Sequence, residues 1–239
     1  MRQRLCWNVV VLGAAFSLVT ASPAVASTIW DGDAARGTGV FGGIECEAPG
    51  SVTVSDFGGT RGKVFKFNKP RGLQRCEARG VRADGDEYTF SNNSTYFFGW
   101  STATNTDDAA TIFQWKSYPN GQQNYPVLMK VEGGVLKLFH IEAGQVWDLI
   151  WSTPVTIDHW KHIALGIRTS SSPDGGWVEL YYNGRKQTFD DGSQRFVGRT
   201  WDTLNKPKWG TYGAEIADKP AINWVDDLRI GTTYADVAP

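Results

Sequence analysis

Apolar residues almost never recur at the three-and-four spacing of an amphipathic helix. Histidine and cysteine are equally scarce, three of each among 239 residues. Neither shows the spacing of zinc ligands, which disfavours a metal-built fold or a catalytic thiol. No sign of charge dominates: 24 basic residues stand against 25 acidic ones. That balance argues against a general nucleic-acid or membrane binder, and any site for a polyanion must be a local patch. No apolar run is long enough to span a bilayer. Repeats, linkers and low-complexity segments are missing too, so the chain reads as one domain.

The one apolar run, Leu5 to Val19, follows Arg2 and Arg4 and precedes the small-residue signal Ala24-Val25-Ala26. That order predicts a secretory signal peptide over residues 1–26 and a secreted, extracellular domain over 27–239. Without the two leader arginines the mature chain carries a net charge of about −3. Cys6 leaves with the leader. Cys46 and Cys76 then form an isolated pair in an oxidising compartment, most simply one disulfide. Closing that loop stabilises the fold by roughly 3–4 kcal/mol in the chain-entropy model.

Alternating apolar and polar residues recur instead, punctuated by turn signals. Strands are expected over Val52–Val54, Lys63–Asn68, Gln74–Val81, Tyr88–Trp100, Thr111–Ser117, Val127–Val131, Val135–Ile141, His162–Thr169, Trp177–Tyr182, Lys208–Tyr212 and Asn223–Ile230. Asp84-Gly85, Asn120-Gly121, Gly133-Gly134 and Asn183-Gly184 mark turns, the last two as hairpins. Many short strands at this spacing predict an all-β fold, a sandwich or jelly roll of two antiparallel sheets. Most of the eleven tryptophans should plug the space between the sheets. Trp100 and Tyr118 are the two aromatics expected to flank a groove and stack on sugar rings.

Three segments place polar side chains at alternate positions. Arg75, Glu77 and Arg79 share one strand face; so do Gln114 and Lys116, and Lys208 and Tyr212. The residues between them, such as Cys76, Phe113, Trp115 and Trp209, suit a core. A face lined with arginine, glutamine, lysine and tyrosine suits an anionic ligand. Taken singly, each segment is equally an ordinary solvated strand face with an ion-pair ladder.

Together the segments carry a resemblance. Arg75-Cys76-Glu77-Ala78-Arg79 resembles the Arg-x-Glu-x-Arg strand of jelly-roll alginate lyases. Gln114-Trp115-Lys116 is similar to their Gln-Ile-His strand, and Lys208-Trp209-Gly210-Thr211-Tyr212 to their Lys-Ala-Gly-Val-Tyr strand. Trp177 to Gly184 and Trp224 to Ile230 resemble strands of concanavalin-like jelly rolls. With Gly62 to Phe67 added, the pattern most resembles glucuronan lyases and relatives of heparin lyase I, over nearly the whole mature chain.

The resemblance implies an endo-acting polysaccharide lyase that cleaves a uronic-acid polymer by β-elimination. Such chemistry must neutralise the substrate carboxylate and take the proton from C5. Gln114, Arg75, Arg79 and Lys116 are implied for the first task, and Lys208 and Glu77 are implied as substrate-binding residues, Glu77 alternatively as the partner that orients the arginines. Tyr212 is implied as base and then acid. A phenol titrates near pH 10 or so when unperturbed, so neighbouring positive charge is required, and Lys208 with an arginine should supply it. Lys116 stands where alginate lyases carry histidine, the second base used when proton and leaving group lie on opposite ring faces. Its presence favours β-1,4-glucuronan or a mannuronate polymer. His140, His159 or His162 could approach from another strand, the last two being more plausibly structural.

Calcium-containing members of this fold bind a structural ion at the final strand, which implies Asp226 with Asp31 as ligands for Ca2+. A buried aspartate capping backbone amides is the equal alternative. No organic cofactor is implied, and the expected partner is an acidic polysaccharide bound by a monomer. A non-catalytic carbohydrate-binding module of the same fold, or an alginate lyase, remains the alternative. A glycoside hydrolase is less expected, because Glu45-Cys46-Glu47 is the only close acid pair near a strand and it adjoins the disulfide.

Overall fold

A computed structural model describes residues 28–239; the expected signal peptide lies outside the described residues. Two antiparallel sheets face one another, the jelly-roll arrangement that the alternation predicts. One sheet runs in the spatial order Trp147–Pro154, Val135–Ile141, Val127–Glu132, Ala110–Ser117, Asn205–Tyr212, Arg75–Ala83 and Phe41–Cys46. The other runs Arg185–Lys186, Trp177–Tyr182, Lys161–Arg168, Thr95–Thr104, Ala221–Gly231, Lys63–Lys69 and Ser51–Asp56. Thr28–Asp31 adds to the Ala221–Gly231 strand at one end. Among the described residues, no helix is long and apolar enough to cross a membrane.

The hairpins follow from turn chemistry. Gly133-Gly134 and Asn183-Gly184 each place both turn residues at positive φ (60° and 75°, 49° and 78°). Two-residue turns with that backbone match the twist of the strands they join. Glu132 thus pairs with Val135, and Tyr182 with Arg185.

The core lies between the sheets and is aromatic. Trp100 stacks on Phe113 at 4.8 Å between ring centroids, while Trp209 and Trp115 are fully buried beside them. Offset aromatic pairs of this kind contribute about 0.5–1.5 kcal/mol beyond the area they bury. Trp100 is therefore a core residue, which corrects its expected place at a groove. The expected strand over Tyr88–Trp100 begins only at Thr95; the preceding Asn92-Asn93 is a turn, with Asn93 at φ 55°. Three strands of four or more residues escaped the sequence reading, Thr28–Asp31, Phe41–Cys46 and Trp147–Pro154, as did the two-residue strands Asp86–Glu87, Arg185–Lys186 and Phe196–Val197.

Candidate active site

Sheet register brings the three polar segments together. The Arg75–Ala83 strand lies between Phe41–Cys46 and Asn205–Tyr212, and Ala110–Ser117 follows on the far side. Lys208 lies opposite both Arg79 and Gln114, Gly210 opposite Glu77, and Tyr212 opposite Arg75. Only glycine fits at 210. Its φ is 146°, and a Cβ there would sit 2.2 Å from the Cys76 carbonyl. Cys46 and Cys76 are disulfide-bonded, as expected, and are direct cross-strand partners. That tie sets Glu45 opposite Glu77 and Gly43 opposite Arg79.

Glu45 is the residue that sequence reasoning missed. In the sequence it stands out only as half of the Glu45-Cys46-Glu47 acid pair. In the structure its carboxylate accepts from Arg75 Nη1 at 2.9 Å and from Lys208 Nζ at 2.8 Å. Arg79 Nε lies 3.1 Å from the other oxygen, and the Tyr118 hydroxyl donates to that oxygen at 3.4 Å. Burial pushes the Glu45 carboxyl up, but Lys208 and Arg75 outweigh it and hold the group below the usual carboxylate range.

Glu77 sits deeper. It is buried, accepting from Gln114 Nε2 at 2.6 Å and from Lys208 Nζ at 2.7 Å. Desolvation dominates here and raises its pKa, with Lys208, Arg75 and Gln114 pulling the other way. Glu77 fixes the amide of Gln114 and the ammonium of Lys208, so it is a positioning residue. Lys208 is itself fully buried, bridging the two glutamates.

Arg75 lies over the ring of Tyr212, 4.3 Å from guanidinium carbon to ring centroid. Its own burial disfavours its charge, but Glu77, Glu45 and Tyr212 more than compensate and strengthen its basicity. Lys116 points to neutral acceptors instead. Its Nζ donates to Asn120 Oδ1 at 2.9 Å and also to Asn124 Oδ1, and it lies 4.7 Å from the Tyr118 ring centroid. Burial and then the charge of Lys208 lower its pKa. Arg75, Arg79 and Lys208 thus face two carboxylates, with Lys116 beside them, and the patch keeps a surplus of positive charge.

Beside this network runs a groove of about 270 Å³, lined by Gln114, Tyr212, Tyr125, Lys130 and Trp147 among others. Bulges shape it: the register slips at Ile112 against both neighbouring strands, which turns Thr111 to the groove opposite Tyr212 and Lys130. Trp147 is 43% exposed and packs on Tyr125 at 5.6 Å, presenting the apolar wall that was assigned to Trp100. Tyr118 does lie at the site, over Arg79 at 5.6 Å, where burial and the Glu45 and Glu77 charges keep its hydroxyl protonated.

The histidines stand apart. His140 Nε2 bonds the Arg199 carbonyl at 2.9 Å. His162 lies in the other sheet near Asp227 and Arg229, and burial lowers its pKa. The two aspartates expected to hold calcium have other partners. Asp226 accepts from Arg61 Nη1 at 2.9 Å, and the same nitrogen bonds Asp227. Asp31 accepts from the backbone of Asp33. With a guanidinium between Asp226 and Asp227, these residues fit an ion pair better than a calcium cage.

An amide and a phenol line one groove, with a guanidinium against the phenol ring, and residues 46–229 match the family model of polysaccharide lyases. The chain belongs to the polysaccharide lyase family. The lyase also resembles solved structures at the level of fold. An endo-β-1,4-glucuronan lyase from the fungus Trichoderma reesei superposes with a TM-score of 0.62 at 17% identity, over 83% of this chain and 94% of that one. Alginate lyase vAL-1 from Chlorella virus gives 0.57 at 13% identity, over 87% and 100%. Alginate lyase AlgAT5 of polysaccharide lyase family 7 gives 0.55 at 15%, over 79% and 85%. No curated protein sequence matches the lyase significantly.

Proposed function

We propose that this lyase is a secreted enzyme that cleaves β-1,4-glucuronan within the chain, with Tyr212 as base and acid. The observation that carries the reading is the shared groove of Gln114 and Tyr212, with the Arg75 guanidinium against the Tyr212 ring. A uronate seated there meets a surplus of positive charge that offsets the negative charge developing when the C5 proton leaves. Gln114 is held by Glu77 through one N–H, and its amide retains a second N–H for the substrate.

Tyr212 takes the C5 proton and returns it to the departing O4. In glucuronate and mannuronate both lie on the same ring face, so one phenol serves both steps. Arg75 offsets the charge on the phenol oxygen during the transfer. Lys116, where the alginate lyase pattern has histidine, and the placement of His140 and His162 away from the groove lining support this single-residue route. The fungal glucuronan lyase among the fold neighbours supports glucuronan over alginate. A hydrolase reading finds less support, since Lys208 bridges Glu45 and Glu77 and fills the gap where a glycosidic oxygen would sit. The oxidised Cys46–Cys76 pair supports secretion.

The test is ultraviolet absorbance from unsaturated uronyl ends, measured on glucuronan, alginate and heparin. Absorbance should rise fastest on glucuronan. Tyr212→Phe should cut the rate by about 10²–10⁴-fold while oligosaccharide affinity stays within several-fold. A Tyr212→Phe enzyme of normal rate would remove the phenol from the mechanism, and binding without product would leave a carbohydrate-binding shell.

A further inference from the structure

Away from the groove network, at the turn joining Val135–Ile141 to Trp147–Pro154, we infer a binding site for a divalent transition metal of the zinc class. One ring nitrogen of His140 and one carboxylate oxygen each of Glu142 and Asp148 lie within 4.8 Å of one another. The hairpin builds the cluster. His140 lies on the first strand, Glu142 just past its end at Ile141, and Asp148 is the direct cross-strand partner of His140.

His140 is the observation that points to a ligand. It is 2% exposed, and Gly198 admits its ring, since a Cβ there would stand 2.6 Å from Nε2. Nε2 bonds the Arg199 carbonyl, so the proton resides on Nε2. Nδ1 is left as a buried lone pair with no hydrogen-bond partner. A buried acceptor without a partner costs free energy. A metal on Nδ1 would satisfy it, and the Nε2–H to carbonyl bond is the outer contact that orients metal-bound histidines. Among the described residues, neither Glu142 nor Asp148 has an ion pair or side-chain hydrogen bond.

One imidazole and two carboxylates suit zinc better than calcium, which prefers oxygen alone. Bond lengths near 2.1 Å put tetrahedral ligand atoms roughly 3.4 Å apart, so the carboxylates need close by no more than about 1.4 Å. Glu142 is exposed and Asp148 half-buried, and both can move that far. Asp148 adjoins Trp147, so the ion would brace the strand that carries the groove's aromatic wall.

Chelator-stripped mature protein, without a polyhistidine tag, is titrated with Zn2+, Ca2+ and Mg2+ and melted. Zinc at about a hundred times its Kd should raise Tm by roughly 5–10 °C, with one equivalent bound in competition with a chromogenic chelator. Asp148→Asn and Glu142→Gln, which keep His140 in place, should melt normally without metal and lose the zinc shift. No zinc binding by the wild type, an unchanged shift in both variants, or an equal shift with calcium would each overturn the assignment.

Discussion

Replacing Lys208 by Met tests the electrostatic account of the site most directly. Lys208 is fully buried and bonds Glu77 at 2.7 Å and Glu45 at 2.8 Å. Methionine is of similar length and keeps the packing but deletes the charge. Glu77 then retains one close donor, the Gln114 amide, for a carboxylate already raised in pKa by burial. Breaking a buried pair from one side costs about 3–5 kcal/mol, which for a domain of this size lowers Tm by roughly 6–20 °C. The pH dependence gives a second readout. Glu77 titrates above its ordinary range in the folded enzyme, so the stability owed to its neutral form is full at low pH. It is lost as pH rises through the folded value. Without Lys208 that value climbs further, and the gap between wild type and variant must widen from about pH 4 towards neutrality. Adding Glu77→Gln should recover much of the loss, because no unpaired charge remains buried. Calorimetry across pH provides both numbers. A Lys208→Met enzyme within 2 °C or so of wild type at neutral pH, or a gap independent of pH, would refute the buried charge bridge.

Two further outcomes follow from the same geometry. Glu45 titrates below its ordinary range, so it stabilises the fold above roughly pH 4.5 and ceases to do so as pH falls through its depressed value. Glu45→Gln should flatten that acid limb of Tm against pH and cost about 1–2 kcal/mol at neutral pH, discounted for partial exposure; an unchanged limb would contradict its role. Trp100→Ala should cost about 3–5 kcal/mol in denaturant unfolding, whereas a loss of substrate affinity at unchanged stability would return Trp100 to the groove.

The parts of the site that were legible lay on strands with one buried face. The alternation around Arg75, Gln114 and Lys208 reports orientation because Cys76, Phe113 and Trp209 fill the core. Glu45 was also within reach. A Cys46–Cys76 bond between antiparallel neighbours forces 45 opposite 77, a step that treating the disulfide only as a staple does not take. Trp100 offered no such clue. Its strand is buried along both faces, with Phe97 and Gly99 covered by the C-terminal Val237, so alternation there carries no direction. The strand with Trp147 was hidden for the opposite reason. It is an exposed edge whose pairing slips between Leu138 and Phe139, which breaks the period that would have revealed it. Phe41–Cys46 carries two glycines and little β-branched content. The aspartates of the last strand fit either an ion or a cation from the chain itself, and only the fold shows Arg61 arriving from a distant loop.

The outermost strand of the sheet, Phe41–Cys46, has a neighbour on one side only, and a single covalent bond rivets its end to the rest. Glu45, the counter-ion to two arginines and a lysine, rides on that margin. Polypeptide held in a reducing cytosol would leave this margin free to peel, spilling unbalanced cations into the cleft. Ripening of the enzyme's electrostatics is thus tied to thiol oxidation, and recombinant material should be judged by its free-thiol content before its turnover is believed.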